Sequence, residues 1–127
     1  MIELPVAPIA ELLGFDLVEL GEGRASVELD PGERHYNPLG TVHGGIAATL
    51  LDSAMGCAVH TTLDEGEAYT TLELKVNYVR AITEATGRVV ATGSVIHRGG
   101  RVATAEARLT DAGGRLLAHG TSTCLIM

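Results

Sequence analysis

The chain has 127 residues, a formal charge of −7 and 46% hydrophobic residues, of which few are aromatic. That length supports one domain around a single core, spanning residues 1–127, and the acidic balance disfavours nucleic acid as a partner, because a phosphate backbone needs a basic footprint. No apolar run approaches a membrane span and the Met-Ile-Glu-Leu-Pro start lacks the basic region of a secretory signal, so no membrane association is expected and the chain reads as cytoplasmic.

In chain order, Pro5 to Leu13 reads as a short helix with Pro5 near its first turn and Gly14 as its stop. Phe15 to Leu20 and Arg24 to Asp30 read as strands joined by the Gly21-Glu22-Gly23 turn. No helix start follows these glycines, so they are not a dinucleotide fingerprint. Pro31 to Gly40 is a loop, and residues 43–62 form the longest helix candidate. Apolar residues fall on every side of it, at Ile46, Ala47, Ala48, Leu50, Leu51, Ala54, Met55, Ala58 and Val59, which predicts burial nearly all round. Gly56 costs about 1 kcal/mol in a helix interior and so points to a close contact there or to room for substrate at the turn after Asp52.

Tyr69 to Val79 alternates, with Leu72, Leu74, Val76 and Tyr78 facing the helix and Glu73, Lys75 and Asn77 facing away. Gly87 to His97 and residues 101–110 are two strands around the Arg98-Gly99-Gly100-Arg101 hairpin. The row Ala103, Ala105, Ala107 and Leu109 lets a helix approach closely. After the Asp111-Ala112-Gly113-Gly114 turn, Arg115 to Ile126 is the last strand. The predicted fold is α+β, one long helix wrapped by a curved antiparallel sheet of five to six strands. Cys57 and Cys124 lack a Cys-x-x-Cys spacing and are expected as reduced core residues. The scattered histidines match no metal-ligand spacing, so no metal is expected.

Asp52 is the only charge between Thr41 and Leu63. A carboxylate on a buried helix needs a partner or a wet site, so Asp52 is either structural with a hidden partner or functional. The His43-Gly44-Gly45 start offers unpaired N–H groups at a positive helix end, a natural place for an oxyanion. Gly44 and Asp52 lie about 12 Å apart along the axis at 1.5 Å per residue, too far to act on one carbon. If both are catalytic, two antiparallel helices from two chains must meet, which predicts a homodimer with two shared sites.

The run Asn37-x-x-Gly40-x-x-His43-Gly44-Gly45, then Leu50-Leu51-Asp52-x-Ala54-x-Gly56, then Thr71-x-Glu73-Leu74-x-Val76-Asn77-Tyr78, resembles hotdog-fold acyl-CoA thioesterases of the phenylacetate-degradation type. The likeness spans about residues 12–126. It implies an acyl-CoA substrate, hydrolysis without a cofactor, and a homodimer that pairs again to a homotetramer. Carried over by position, it makes Asp52 the base or nucleophile, Gly44 the oxyanion donor and Asn37 the residue that orients water or the carboxylate. His43 then supports the loop and thioester, Gly45 lies along the substrate, and Arg80, Arg98 and Arg101 meet CoA phosphates. Thr71 corresponds to a hydroxyl beside the carboxylate, yet strict alternation turns it away from the helix; a bulge would turn it inward, or Thr70 would take its place.

Plainer readings stand beside these. Asn37 suits a turn before Pro38, His43 suits a helix start, and Arg98 and Arg101 suit a solvated hairpin tip. The functional alternatives are a hotdog hydratase or dehydratase, for which the loop offers only Glu33 and His35, and a non-catalytic acyl-CoA binder, which would keep the arginines without needing Asp52.

Overall fold

The central helix, α2, runs from Gly44 to His60, and the rest of the chain is laid against it. The computed structural model describes residues 4–127. A short helix, α1 (Pro8–Leu13), precedes the hairpin of β1 (Phe15–Gly21) and β2 (Arg24–Leu29). After α2 come β3 (Tyr69–Tyr78), β4 (Val89–Arg98), β5 (Val102–Asp111) and β6 (Leu116–Ile126). All pairings are antiparallel and the strand order is β1-β2-β4-β5-β6-β3, which leaves β3 on an edge. This is the helix wrapped in a sheet that the sequence predicts, and it is the hotdog fold. No helix among the described residues is long and apolar enough to cross a membrane.

Helix formers dominate the interior of α2. Its end is set by Thr61 and Thr62, whose hydroxyls donate to the carbonyls of Ala58 and Val59 (both 2.7 Å). Ala47, Leu50, Leu51, Ala54, Met55, Ala58 and Val59 are buried, and the sheet below them is lined by small residues, Ala91, Ala103, Ala105 and Ala107. Gly93 brings the two backbones together: a Cβ there would lie 2.6 Å from the Ala54 carbonyl carbon.

Three expectations are corrected. The first is burial of α2 all round, because Ala48, Thr49, Asp52, Ser53, Cys57 and His60 are only half-buried and Gly45 is exposed. Spaced by three and four residues, they form one open stripe, so Cys57 is not a core residue, whereas Cys124 is buried. The second is the start of α1, where Pro8 rather than Pro5 takes the first turn. The third is the alternation of β3, which a bulge breaks between Thr71 and Glu73: Thr71 pairs with Cys124, Glu73 with Thr123, and Leu72 between them is the extra residue. Leu72 therefore points outward, 58% exposed, while Leu74 and Val76 pack against the core.

Candidate active site

The loop before α2 is fixed by side chains that serve its own backbone. His35 is buried, 2% exposed. Its Nδ1 accepts from the Gly32 N–H (3.0 Å), which leaves Nε2–H to donate to the Leu13 carbonyl (2.7 Å). Both ring nitrogens are committed, so His35 cannot transfer protons as a hydratase residue would. The Asn37 carboxamide oxygen accepts from the N–H groups of Leu39 (2.8 Å) and Thr41 (3.3 Å), and its Nδ2 donates to Thr41 Oγ1 (2.9 Å). Within one chain Asn37 is thus the turn former, and it holds the loop that delivers the helix start.

At that start His43 is the N-cap, its Nδ1 accepting the Gly45 N–H at 2.8 Å. The Ile46 N–H goes back to the His43 carbonyl (2.9 Å). Gly44, at the first helical position, has no intrahelical acceptor for its N–H, and among the described residues that donor is the one left over. Of the two glycines, Gly44 therefore carries the spare N–H, whereas Gly45 has spent its own on His43. Tyr78, at the end of β3, donates from its hydroxyl to the Gly44 carbonyl at 2.8 Å. An open cavity of about 480 Å³ lies here, lined by His43, Gly44, Gly45, Tyr78 and Arg80 among others.

Asp52 lies two turns further along α2, half-buried on the open stripe. The β3 bulge turns Thr71 toward it, and the Thr71 hydroxyl donates to Asp52 Oδ1 at 3.1 Å. Behind Thr71 sits the Cys124 thiol, 3.9 Å from Oγ1. Tyr69 presses its hydroxyl against Gly56, where a Cβ would come within 2.6 Å, which is the close contact the mid-helix glycine foretold. Burial, then the neighbouring Cys57, Cys124 and Asp52, push the Tyr69 phenol up to about 12, so it stays neutral. Burial first and the Asp52 charge second also raise the Cys57 thiol, which keeps it protonated and a poor nucleophile.

The three arginines separate. Arg80 borders the cavity at the Gly44 end. Arg98 is committed to the Glu67 carboxylate in a half-buried ion pair, and Arg101 is exposed at the tip of the β4–β5 hairpin. The main-chain N–H of Arg80 donates to the Leu117 carbonyl of β6, and the Arg101 carbonyl accepts from the Ile126 N–H. At about 3.4 Å per residue they stand roughly 30 Å apart within one chain. Asp52 and Gly44 are likewise not brought together in one chain, because both belong to one continuous helix and lie two turns apart on it.

Tyr69 and Tyr78 were not singled out by sequence reasoning as site residues. The available signal was their position: both lie on the strand that faces α2, opposite Gly56 and Gly44, where a missing Cβ makes room for a ring.

A family profile described as Thioesterase superfamily matches residues 39–118. The 1,4-dihydroxy-2-naphthoyl-CoA hydrolase of Listeria monocytogenes is 29% identical over 93% of this chain and 94% of that protein. A phenylacetic acid degradation-related protein from Ralstonia eutropha superposes with a TM-score of 0.86 at 27% identity, covering 96% of this chain and 92% of the other. A Bacillus halodurans protein solved with CoA gives a TM-score of 0.84 at 32% identity, covering 97% and 78%.

Proposed function

The chain belongs to the thioesterase superfamily and is a thioester hydrolase, and from that premise we propose that it cleaves an acyl- or aryl-CoA thioester at a site shared by two copies of itself. The observation that carries the proposal is the Asp52–Thr71 hydrogen bond on an uncovered helix stripe, two turns from a spare Gly44 N–H. A carboxylate held by a hydroxyl and left open to solvent suits proton transfer. A free donor at a helix start suits a developing oxyanion.

The thioester carbonyl oxygen accepts from Gly44 N–H of one protomer. Asp52 of the other protomer removes a proton from water as the water oxygen attacks the carbonyl carbon, while Thr71 holds the carboxylate in place. The tetrahedral oxyanion is stabilised by the same Gly44 N–H. It collapses by breaking the carbon–sulfur bond, and the proton on Asp52 passes to the CoA thiolate, leaving a free acid and CoA. Asn37 and His43 keep the Gly44 turn in shape, and Gly45 leaves room along it.

Two features of the single chain support the dimer. β3 is an edge of ten residues, and beside it runs the open stripe of α2; pairing two β3 edges antiparallel would cover both. The same two-fold brings Arg80 of one protomer toward Arg101 of the other, flanking one site from which both are needed for the CoA phosphates. Arg98 then serves as the latch to Glu67.

The test is thiol release from short, medium, long and aromatic acyl-CoA esters, run beside hydration of an enoyl-CoA. Thiol release from at least one class is expected. Hydration without thiol release would replace this reading with a hydratase, and binding without either reaction would replace it with an acyl-CoA carrier.

A further inference from the structure

The two glycines that open α2 create a problem which the fold answers with Tyr78. Glycine at the first two helical positions clears space for a substrate carbonyl, but it also gives the peptide units there more conformational freedom than any other residue. An oxyanion donor stabilises charge only when it is already aimed, because reorienting it at the moment of reaction costs what the hydrogen bond returns. Gly44 therefore needs external restraint.

The Tyr78 phenol lies against the first turn of α2, and the missing side chain at residue 44 makes room for this close approach. A Cβ there would meet Tyr78 Oη at 3.0 Å, Cζ at 3.1 Å and Cε1 at 3.3 Å. The hydroxyl donates to the Gly44 carbonyl at 2.8 Å, and the N–H of the same peptide unit, that of Gly45, donates to His43 Nδ1 at 2.8 Å. Both ends of that unit are thus held by side chains. The preceding unit, which carries the Gly44 N–H, is held at its other end, where the His43 carbonyl accepts from Ile46 N–H at 2.9 Å. Gly44 sits between two pinned peptides and lines the same cavity as Tyr78. Neutral His43, whose Nδ1 is an acceptor here, carries its proton on Nε2.

We propose that Tyr78 is a positioning residue of the thioester-hydrolysing site: through the Gly44 carbonyl it aims the Gly44 N–H at the transition-state oxyanion. This rests on the thioesterase reading above. The Tyr78 hydroxyl is spent on the Gly44 carbonyl, and Asp52 of the same chain takes its hydrogen bond from Thr71, so the loss of that hydroxyl should act on turnover and not on affinity for the CoA ester. Its own side chain is 58% exposed, so the loss of one hydroxyl leaves the core intact.

The experiment compares wild type, Tyr78→Phe and Tyr78→Leu on whichever acyl-CoA ester wild type hydrolyses, with backbone ¹⁵N order parameters recorded for Gly44 and Gly45. Tyr78→Phe keeps the ring and loses only the donor. A fall in kcat of about three- to ten-fold with KM within about two-fold is expected, the scale of one hydrogen bond. Lower order parameters at Gly44 and Gly45 and an unchanged melting temperature should accompany it. Tyr78→Leu, lacking the ring as well, should show the same order-parameter loss and a kcat no higher than that of Tyr78→Phe. Tyr78→Phe with wild-type kcat and wild-type Gly44 order parameters overturns the proposal. So does a variant whose KM rises while kcat holds, which would make Tyr78 a substrate contact. If wild type itself releases no thiol, the thioesterase reading fails instead, and the order parameters still report whether Tyr78 holds the helix start.

Discussion

Asp52 and the phenol of Tyr69 show how far the environment of one side chain determines what it does. Asp52 keeps a hydroxyl partner and a solvent-facing side at once, the two conditions a base on a helix needs. Asp52→Asn should keep the fold and lower kcat by about 10²- to 10⁴-fold, the usual scale for a lost general base. Thiol release measures it, and wild-type turnover in a folded variant would make Asp52 structural. Tyr69 gives a pH prediction with a definite sign. Its folded pKa is raised from 10.0 to about 12, chiefly by burial. Between those values the unfolded chain has lost a proton that the folded chain retains, so stability is complete below pH 10.0 and falls as pH rises toward about 12. Tyr69→Phe should flatten that alkaline decline in denaturant melts taken across this window. An equally steep decline in the variant would remove Tyr69 as its source.

At the scale of elements, close backbone approach and one irregularity place the site. Gly93 lets α2 rest on β4, and the atom a Cβ would strike is main chain and cannot rotate away. Gly93→Ala should cost about 1–3 kcal/mol, the range for overpacking a filled core. Equilibrium unfolding at fixed protein concentration checks this, and an unchanged midpoint would mean the helix can lift freely. The β4–β5 hairpin divides its arginines: Arg98→Ala should lower stability by about 1–2 kcal/mol through loss of the Glu67 pair and leave KM alone. Arg101→Ala should raise KM for a CoA ester but not for a thioester lacking the nucleotide, and equal effects on both substrates would argue against a phosphate contact. The elements themselves are legible in the sequence because period-two alternation and turn glycines are local signals, and α2 is legible from its apolar length. The bulge is not, since nothing in Thr71-Leu72-Glu73 announces that the period restarts. Leu72 is apolar and belongs by alternation on the inside, while Thr71 goes in only because Asp52 on another element gives its hydroxyl a partner. Arg98 could not be told from Arg101 for the same reason: Glu67, which takes it, is distant in sequence. The open stripe on α2 was hidden because Ala48, Ser53 and Cys57 are small enough to suit a core as well as an interface.

For the whole molecule, the central claim is that one chain holds two halves of two different sites. Gly44 and Asp52 are about 12 Å apart on a rigid helix, Arg80 and Arg101 stand at opposite ends of the sheet, and the surface between them is an unpaired strand edge beside an uncovered stripe. A two-fold axis perpendicular to that edge, pairing the two β3 strands antiparallel, would join each half to its complement. Asn37→Ala damages the Gly44 half, because Asn37 holds the loop that delivers the helix start, and Asp52→Asn damages the other. Each homodimer should be defective. In a mixed dimer one site carries both lesions, while the other receives a wild-type loop from one chain and a wild-type Asp52 from its partner. The decisive measurement is therefore thiol release by verified heterodimers of Asn37→Ala with Asp52→Asn, co-expressed with two tags and purified on both. Recovery of up to about half the wild-type activity per dimer is the result a two-site isologous interface predicts; heterodimers as inactive as their parents would contradict it.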